Sequence, residues 1–238
     1  MPGASAASVR ALAEPSKQPA GRWRDLGVRA ASAAVLLPAA LACLWVGGGL
    51  WVALVLLAGL LMMREWRAMA AGLPYAISLP IGMLWILPAV LGLEWLRARE
   101  PGGMGNVLFL LCVVWASDIG AYMVGRLVGG PKLAPSISPG KTRSGAVGGL
   151  LAALGVGAAA AALGGGVFAT AMLTAAVLGV VSQAGDLLES AVKRHFGVKD
   201  SGNLIPGHGG LLDRLDAVLT VAPVAAAIVL WRGEVLWR

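Results

Sequence analysis

Residues 190–216 of the chain read SAVKRHFGVKDSGNLIPGHGGLLDRLD, a polar block between the apolar runs GVFATAMLTAAVLGVVSQA at 166–184 and LDRLDAVLTVAPVAAAIVLW at 212–231. Each run is close to the roughly 20 apolar residues that a helix needs to cross a bilayer. Unpaired charge at a membrane is costly, so the charged side chains between these runs are expected to pair or to bind a ligand. The stretch therefore predicts two membrane helices joined by a functional polar segment.

The whole chain has the composition of a membrane protein. Of its 238 residues, 58% are hydrophobic and 13% are charged, with a mean hydropathy of +0.79, whereas soluble domains carry roughly 25% charged residues. We predict an all-α integral membrane protein with about seven transmembrane helices. The spans are placed at 28–46, 50–63, 76–96, 106–128, 145–163, 166–184 and 212–231.

The regions around these spans are also interpretable. Residues 1–27 are rich in Ala, Ser, Pro and Arg and predict a disordered cytoplasmic tail. Glycine triplets at 47–49 and 164–166 predict tight turns between adjacent spans. Pro80 and Pro88 lie inside the third span and predict a kink there.

Charge predicts how the chain is oriented. The net charge of +7 comes from 19 basic and 12 acidic residues that cluster between apolar runs, which favours contact with lipid headgroups over nucleic acid. With a cytoplasmic N-terminus, all basic residues except Arg97, Arg99, Arg232 and Arg238 lie on the cytoplasmic side. The polar segments 126–144 and 185–216 then share that side. The two cysteines lie in apolar runs and predict neither a disulfide nor a metal site.

Carboxylates cluster around the opening block. If the sixth helix continues past its apolar run, Ser182, Asp186, Glu189 and Lys193 share one face. Glu189 is either part of a functional stripe or the solvated end of the span. Asp213 and Asp216 are three residues apart and lie on one face of the seventh helix.

Asp186, Asp213 and Asp216 are expected to converge at one membrane edge. Oxygen ligands without sulfur or histidine are typical of Mg²⁺ sites. The alternative for Asp213 is capping of the seventh helix, which the helix dipole favours.

Two loops are candidates for binding phosphate. The segment 206–210, PGHGG, lets the backbone approach a ligand closely, and His208 is either an acid/base group or a loop hydrogen-bonder. Nearby cations suited to phosphate are Lys193, Arg194, Lys199 and Arg214. The segment 132–143 resembles a phosphate loop in composition but has Pro135 where a Walker A motif needs glycine. It either holds a phosphate or sets the topology.

The fourth span contains Asp118, Tyr122 and Arg126 at successive helical turns. An intramembrane carboxylate aligned with an arginine indicates a functional site. A structural Asp118–Tyr122–Arg126 relay is the competing interpretation.

These residues resemble a known family. One pattern runs from Ser190 through Lys193-Arg194, Lys199-Asp200, Gly202, Pro206 and His208-Gly209-Gly210 to Asp213-Arg214 and Asp216. This pattern is similar to the signature of the phosphatidate cytidylyltransferases, or CDP-diglyceride synthases. The likeness extends over about 115–216. It implies a catalytic membrane domain at 106–238, preceded by N-terminal membrane helices at 28–105.

The resemblance implies an activity and its participants. Members of this family are integral membrane enzymes that condense CTP with phosphatidic acid to CDP-diacylglycerol and pyrophosphate, using Mg²⁺. It further implies an active site at the cytoplasmic face of the cell (inner) membrane. Whether a second cation joins Mg²⁺ and whether the chain forms a homodimer stay open. A CTP-dependent polyprenol kinase and an ion-coupled transporter are the alternative functions.

The resemblance also implies roles for individual residues. Asp186 and Asp213 would bind metal with Asp216 nearby, and Lys193 and Arg214 would join Asp186 and Asp213 as catalytic residues. Substrate-binding residues would be Ser138, Lys141, Thr142, Arg194, Lys199, His208, Gly209 and Gly210. Two departures are Ser144, at a position that is commonly acidic in the family, and a chain shorter than many relatives.

Overall fold

A computed structural model describes the backbone of residues 20–238 and the side chains of residue 27 and of residues 30–238. Its elements are α1 Ala20–Val46, α2 Gly48–Met69, α3 Tyr75–Ala98, α4 Gly103–Val128, β1 Lys132–Ala134, β2 Ser138–Thr142, α5 Arg143–Gly164, α6 Phe168–His195 and α7 Leu212–Arg232. Most of the predicted tail at 1–27 lies outside the described residues. Its remainder, residues 20–27, belongs to α1.

The chain is an all-α integral membrane protein, as predicted. Among the described residues, six helices, α2 to α7, are long and apolar enough to cross a membrane. The first predicted span corresponds to a shorter apolar segment of α1, Ala30–Val46. Large apolar side chains such as Leu84, Leu127 and Leu163 are exposed. In a bilayer these exposed side chains face lipid at no cost.

The helix ends differ from the predicted span ends in one important place. The apolar run of the sixth span ends at 184, but α6 continues to His195. Its polar extension is buried on one side, so it is held by packing within the protein instead of by lipid. The predicted glycine turns are confirmed, because Gly47 and Gly165 both have positive φ between consecutive helices. α3 continues through Pro80 and Pro88.

Small residues let the middle helices pack closely. Gly145 and Gly148 on α5 face α4, where a side chain would meet the Ala121 carbonyl and Val124. Further along, Gly157 lies against Ala171 of α6. Glycine and alanine at helix contacts are typical of membrane bundles, because packing there depends on close approach of backbones.

The polar segments gather at one end of the bundle. There Ser32 Oγ of α1 donates to the Pro206 carbonyl at 2.9 Å, and Arg194 Nε of α6 donates to the Ile137 carbonyl at 3.4 Å. At the opposite end, the Asn106 side chain accepts a hydrogen bond from the Leu236 amide. The predicted common location of the segments 126–144 and 185–216 is therefore confirmed. The side of the membrane on which they lie stays a prediction.

The segment 132–143 is more regular than the predicted loop. β1 and β2 form an antiparallel hairpin, with Lys132 opposite Thr142 and Ala134 opposite Ser138. The hairpin follows α4 and leads directly into α5, so Lys141 is carried by a strand. An isolated hairpin is marginally stable, and here contacts with α5 and α6 support it.

Candidate functional site

The polar face of α6 forms the centre of the site. Ser182, Asp186, Glu189 and Lys193 share this face because α6 remains helical to His195, as the conditional prediction required. Glu189 is 1% exposed, and its Oε2 lies 2.6 Å from the Lys193 ammonium. The interpretation of Glu189 as the solvated end of a span is therefore wrong. It is a buried, paired carboxylate.

Asp213 joins the same network from α7. Its Oδ1 lies 2.9 Å from Lys193 Nζ. The backbone amides of Ser201 and Gly210 donate to its carboxylate at 2.9–3.0 Å. Asp213 thus lies in the first turn of α7 and accepts from the loop that precedes it. The predicted capping by Asp213 is wrong, because the N-cap position is Leu211, whose side chain makes no capping hydrogen bond. Lys193 lies between Glu189 and Asp213 and links α6, the loop and α7.

A first polar cavity of about 510 Å³ lies between the hairpin, α4, α5 and α6. Lys141 of β2 pairs with Asp186 of α6 across it, with Nζ and Oδ2 2.5 Å apart. Asp118 of α4 and Gln183 of α6 line the same cavity. Both members of the pair are about one third exposed, so a ligand in the cavity can compete for either charge.

Three carboxylates lie near this cavity. Asp118, Asp186 and Asp216 are close enough for their charges to repel one another. Their oxygen-only donor set and excess negative charge fit Mg²⁺. Among the described residues, however, no group of three or more His, Cys, Asp or Glu side chains is arranged to hold a metal ion. Asp213 would have to exchange Lys193 and two backbone amides for such an ion. The metal set Asp186, Asp213 and Asp216 stays a prediction.

A second polar cavity of about 760 Å³ is built from the loop before α7. The predicted residues Lys199, His208, Gly209 and Arg214 all line it. Arg214 donates from Nε and Nη2 to the His208 carbonyl at 3.0 and 2.7 Å, which ties its guanidinium to the loop. Gly209 has φ of 85°, a left-handed conformation that favours glycine.

Several residues that were predicted to bind substrate use their polar groups within the protein, in helix capping, hydrogen bonds to the backbone or strand pairing. Thr142 Oγ1 accepts from the Gly145 amide at 3.0 Å and caps α5. Arg194 is exposed and donates to backbone carbonyls in the loop after α6 and in the hairpin. Ser138 belongs to the strand pairing of β2. Ser144, the departure from the family pattern, donates to the Gly129 carbonyl.

The polar side chains of α4 divide into two parts. Arg126 donates to the Tyr122 hydroxyl at 2.8 Å, and its guanidinium lies 5.9 Å from the Tyr122 ring centre. Among the described residues, no ion pair joins Arg126 to Asp118. All three line the first cavity, but the continuous Asp118–Tyr122–Arg126 relay is absent from this part of the chain.

Glu65 is a site residue that the sequence reasoning missed. It lies near the end of α2, is 6% exposed, and accepts from the Leu211 and Leu212 amides at 2.9 and 2.8 Å. The Ser201 hydroxyl donates to the same carboxylate at 3.3 Å. Glu65 therefore holds the start of α7 and the preceding loop. The available signal was a carboxylate at the end of an apolar span.

Comparison with known proteins identifies the family that the chain resembles. The model of the cytidylyltransferase family matches residues 78–231. This segment contains every residue that lines the two polar cavities. It does not contain Glu65.

Individual relatives are similar over much of the chain. A phosphatidate cytidylyltransferase of Brucella suis is 46% identical over 165 residues, which cover 68% of this chain and 58% of the relative. One of Pseudomonas aeruginosa is 46% identical over 156 residues, covering 64% of this chain and 57% of the relative. One of Staphylococcus saprophyticus is 45% identical over 136 residues, 56% and 52% of the two chains. The chain thus spans slightly more than half the length of these curated relatives.

Proposed function

The chain belongs to the cytidylyltransferase family, and from that premise we propose that it transfers the cytidylyl group of CTP to phosphatidic acid, yielding CDP-diacylglycerol and pyrophosphate. The observation that carries the proposal is the position of the two polar cavities, rich in Lys, Arg and Asp, at one end of an apolar helix bundle. At such a boundary a lipid phosphate and a water-soluble nucleotide can meet. The relatives named phosphatidate cytidylyltransferase support the same substrates.

The proposed reaction is a displacement at phosphorus. A phosphate oxygen of phosphatidic acid forms a bond to the α-phosphorus of CTP, and the bond from that phosphorus to the bridging oxygen of pyrophosphate breaks. A phosphomonoester is largely ionised at neutral pH because its second pKa is about 6. The nucleophile therefore needs no dedicated general base, and positioning with charge neutralisation supplies much of the catalysis.

The charged residues can be assigned to this chemistry. Lys141 lies in the first cavity, and Lys199 and Arg214 line the second, where they would neutralise phosphate oxygens. Lys193 is engaged by two buried carboxylates, so we assign it to holding Asp213 and the loop in position. His208 would contribute through its loop as well as its ring, because its carbonyl holds Arg214.

Mg²⁺ is part of the proposal. Asp186 would hold it together with the nearby Asp216, and Asp118 lines the same cavity as Asp186. When bound, the ion would neutralise charge on the phosphates of CTP and on the leaving pyrophosphate. The pairing of Lys141 with Asp186 compensates one of these negative charges before a ligand arrives.

The location in the cell follows from the same proposal. With the polar end of the bundle on the cytoplasmic side, the basic residues obey the positive-inside rule, and CTP has direct access. We therefore propose an enzyme of the cell (inner) membrane whose site faces the cytoplasm, in contact with the surrounding lipids. A homodimer remains an expectation from the family resemblance.

The test is incubation of the purified chain with phosphatidic acid, Mg²⁺ and CTP labelled at its α-phosphorus. We expect labelled CDP-diacylglycerol and an equal amount of pyrophosphate, with both products lost when a chelator removes the metal. A parallel assay supplies a polyprenol and γ-labelled CTP, and label in the polyprenol would instead identify the polyprenol kinase alternative. No product in either assay would contradict both enzymatic functions and leave transport to be tested.

Variants connect the activity to the first cavity. We expect Lys141→Met to lower kcat on the order of 100-fold, because it removes a charge that stabilises the transition state. Asp186→Asn should raise the Mg²⁺ concentration required for activity. Glu234→Gln, an exposed acidic residue beyond α7, is the control and should behave as wild type. An unchanged Mg²⁺ requirement in Asp186→Asn would overturn the metal assignment.

A further inference from the structure

We propose that an apolar crevice between α1, α2, α3, α4 and α7 holds one acyl chain of the lipid substrate, with the lipid phosphate at Arg214 and His208. The inference rests on the proposed function and names the lipid subsite that this function requires. Of the predicted site residues, Arg214 and His208 alone line this crevice.

The crevice has the size and chemistry of a binding site. Its volume is about 490 Å³, within the roughly 300–1,000 Å³ of small-molecule sites. Nearly all its lining side chains are apolar, among them Leu41 of α1, Val55 of α2 and Leu219 of α7. Leu36 and Leu37 of α1 line the crevice yet are about half exposed. The crevice is therefore open to the hydrocarbon around the protein on this side.

The length of the crevice matches one leaflet of a bilayer. Its lining on α2 extends from Trp51 to Met62, which at about 1.5 Å per residue corresponds to roughly 16 Å. Half of a hydrocarbon core roughly 30 Å thick is roughly 15 Å. The crevice is thus long enough for most of one acyl chain, and its lining continues to Leu44, whose carbonyl accepts from Arg97 towards the opposite end of the bundle.

The charged residues of the crevice lie only at the end next to the second polar cavity. His208 and Arg214 line both spaces, so a molecule with its chain in the crevice would present its headgroup to them. Two N–H groups of Arg214 hold the His208 carbonyl, and a guanidinium has five N–H donors, more than these bonds use. His208 Nδ1 is buried, with no hydrogen-bond partner among the described residues. Both groups suit a phosphate.

This end selects the occupant by charge. A phosphomonoester carries up to about two negative charges near neutral pH and leaves oxygens free for a bidentate contact with arginine. A zwitterionic bulk lipid brings a phosphodiester with one negative charge and a bulky cationic group. The crevice therefore fits phosphatidic acid better than the lipid that surrounds the protein.

The first test narrows the crevice. Ala58 is half-buried on α2 and lines it, whereas Ala53 is exposed on the same helix and does not. We expect Ala58→Phe to lower kcat/KM for dioleoyl phosphatidic acid about tenfold or more, because each buried CH₂ that is displaced weakens binding. Activity with dihexanoyl phosphatidic acid and the KM for CTP should stay near wild type, which also shows that the variant folds. Ala53→Phe should match wild type with both lipids.

The second test does not depend on activity. A phosphatidic acid with a photoreactive diazirine near the end of one acyl chain should crosslink to peptides of α1 and α2. Excess unlabelled phosphatidic acid should suppress this crosslinking, and phosphatidylcholine should not. Equal suppression by both lipids, or equal loss of activity with long and short chains in Ala58→Phe, would overturn the inference. Absence of CDP-diacylglycerol from wild type would instead refute the proposed function, while the crosslinking pattern would still test the crevice.

Discussion

Lys193 is the residue whose loss should disturb the site most, because it lies between two buried carboxylates. Its ammonium is 2.6 Å from Glu189 and 2.9 Å from Asp213. We expect Lys193→Met to destabilise the protein by about 3–5 kcal/mol, since removal of one partner leaves buried charge uncompensated. Thermal unfolding in detergent measures the loss. Arg194→Met, an exposed neighbour on the same helix end, is the control.

A double variant separates the effect of Lys193→Met on stability from its effect on activity. Adding Glu189→Gln removes one of the two carboxylates that lost their partner, so the unfolding temperature should recover in part. Cytidylyl transfer should not recover, because Asp213 and the loop still lack their link to α6. A double variant as unstable as Lys193→Met would show that Glu189 is not charged in the folded protein.

Glu65 acts from outside the segment that the family model matches. It accepts hydrogen bonds from the Leu211 and Leu212 amides and the Ser201 hydroxyl. We expect Glu65→Ala to cost on the order of 1–3 kcal/mol for each donor left without an acceptor. Hydrogen exchange of segment 201–212 should become faster. Arg64 is the exposed neighbour on α2, and Arg64→Ala should leave the exchange of segment 201–212 unchanged. Unchanged exchange in Glu65→Ala would show that the hydrogen bonds of Glu65 do not hold this segment.

Some of these individual site residues could be predicted from the sequence and others could not. The charged residues of α6 and α7 were identifiable because helical spacing relates neighbours within a few turns. Glu65 was missed because its partners lie 136 to 147 positions away, and no local pattern relates them. Asp213 was recognised, but the sequence could not decide between a metal and a cap. In the fold its carboxylate instead binds Lys193 and two loop amides, which no local sequence pattern brings to it.

At the scale of elements, Thr142 links the hairpin to α5. Its hydroxyl caps α5 through the Gly145 amide, and it directly follows Lys141 on β2. We expect Thr142→Val to lower stability by about 0.5–2 kcal/mol, the usual cost of a lost N-cap. The KM for CTP should rise because Lys141 loses its fixed position. Thr142→Ser keeps the cap and should retain both values, measured by thermal unfolding and steady-state kinetics.

The elements divide into those with a local signal and those without one. Long apolar runs predicted the membrane helices because crossing a bilayer requires about 20 apolar residues whatever their neighbours. Hydropathy ended the sixth span at 184, whereas α6 continues to His195 because its polar face is satisfied inside the protein. The hairpin of β1 and β2 was predicted as a loop, since its Pro, Gly and Ser residues are typical of turns.

At the scale of the whole molecule, function follows from the contrast between the two ends of the bundle. Helices α1 and α2 meet the loop before α7 and the start of α7 at the polar end, through contacts such as Ser32 with Pro206 and Glu65 with Leu212. The opposite end is closed by the C-terminal residues, with the Trp237 ring packed against Phe109. In the part of the chain that the structure describes, both polar cavities open at the polar end, and the apolar crevice reaches that end from the side.

The orientation of this polar face in the membrane is the last prediction. We expect it to be cytoplasmic, because most of the basic residues outside the tail lie there and positive loops are retained inside. In a background with Cys43 and Cys112 replaced by alanine, Ser136→Cys should react with a membrane-impermeant maleimide in inside-out vesicles only. Arg99→Cys, at the opposite end of the bundle, should react in right-side-out vesicles only. The reverse pattern would place the site outside the cell, where CTP is absent, and would contradict the proposed function together with the topology.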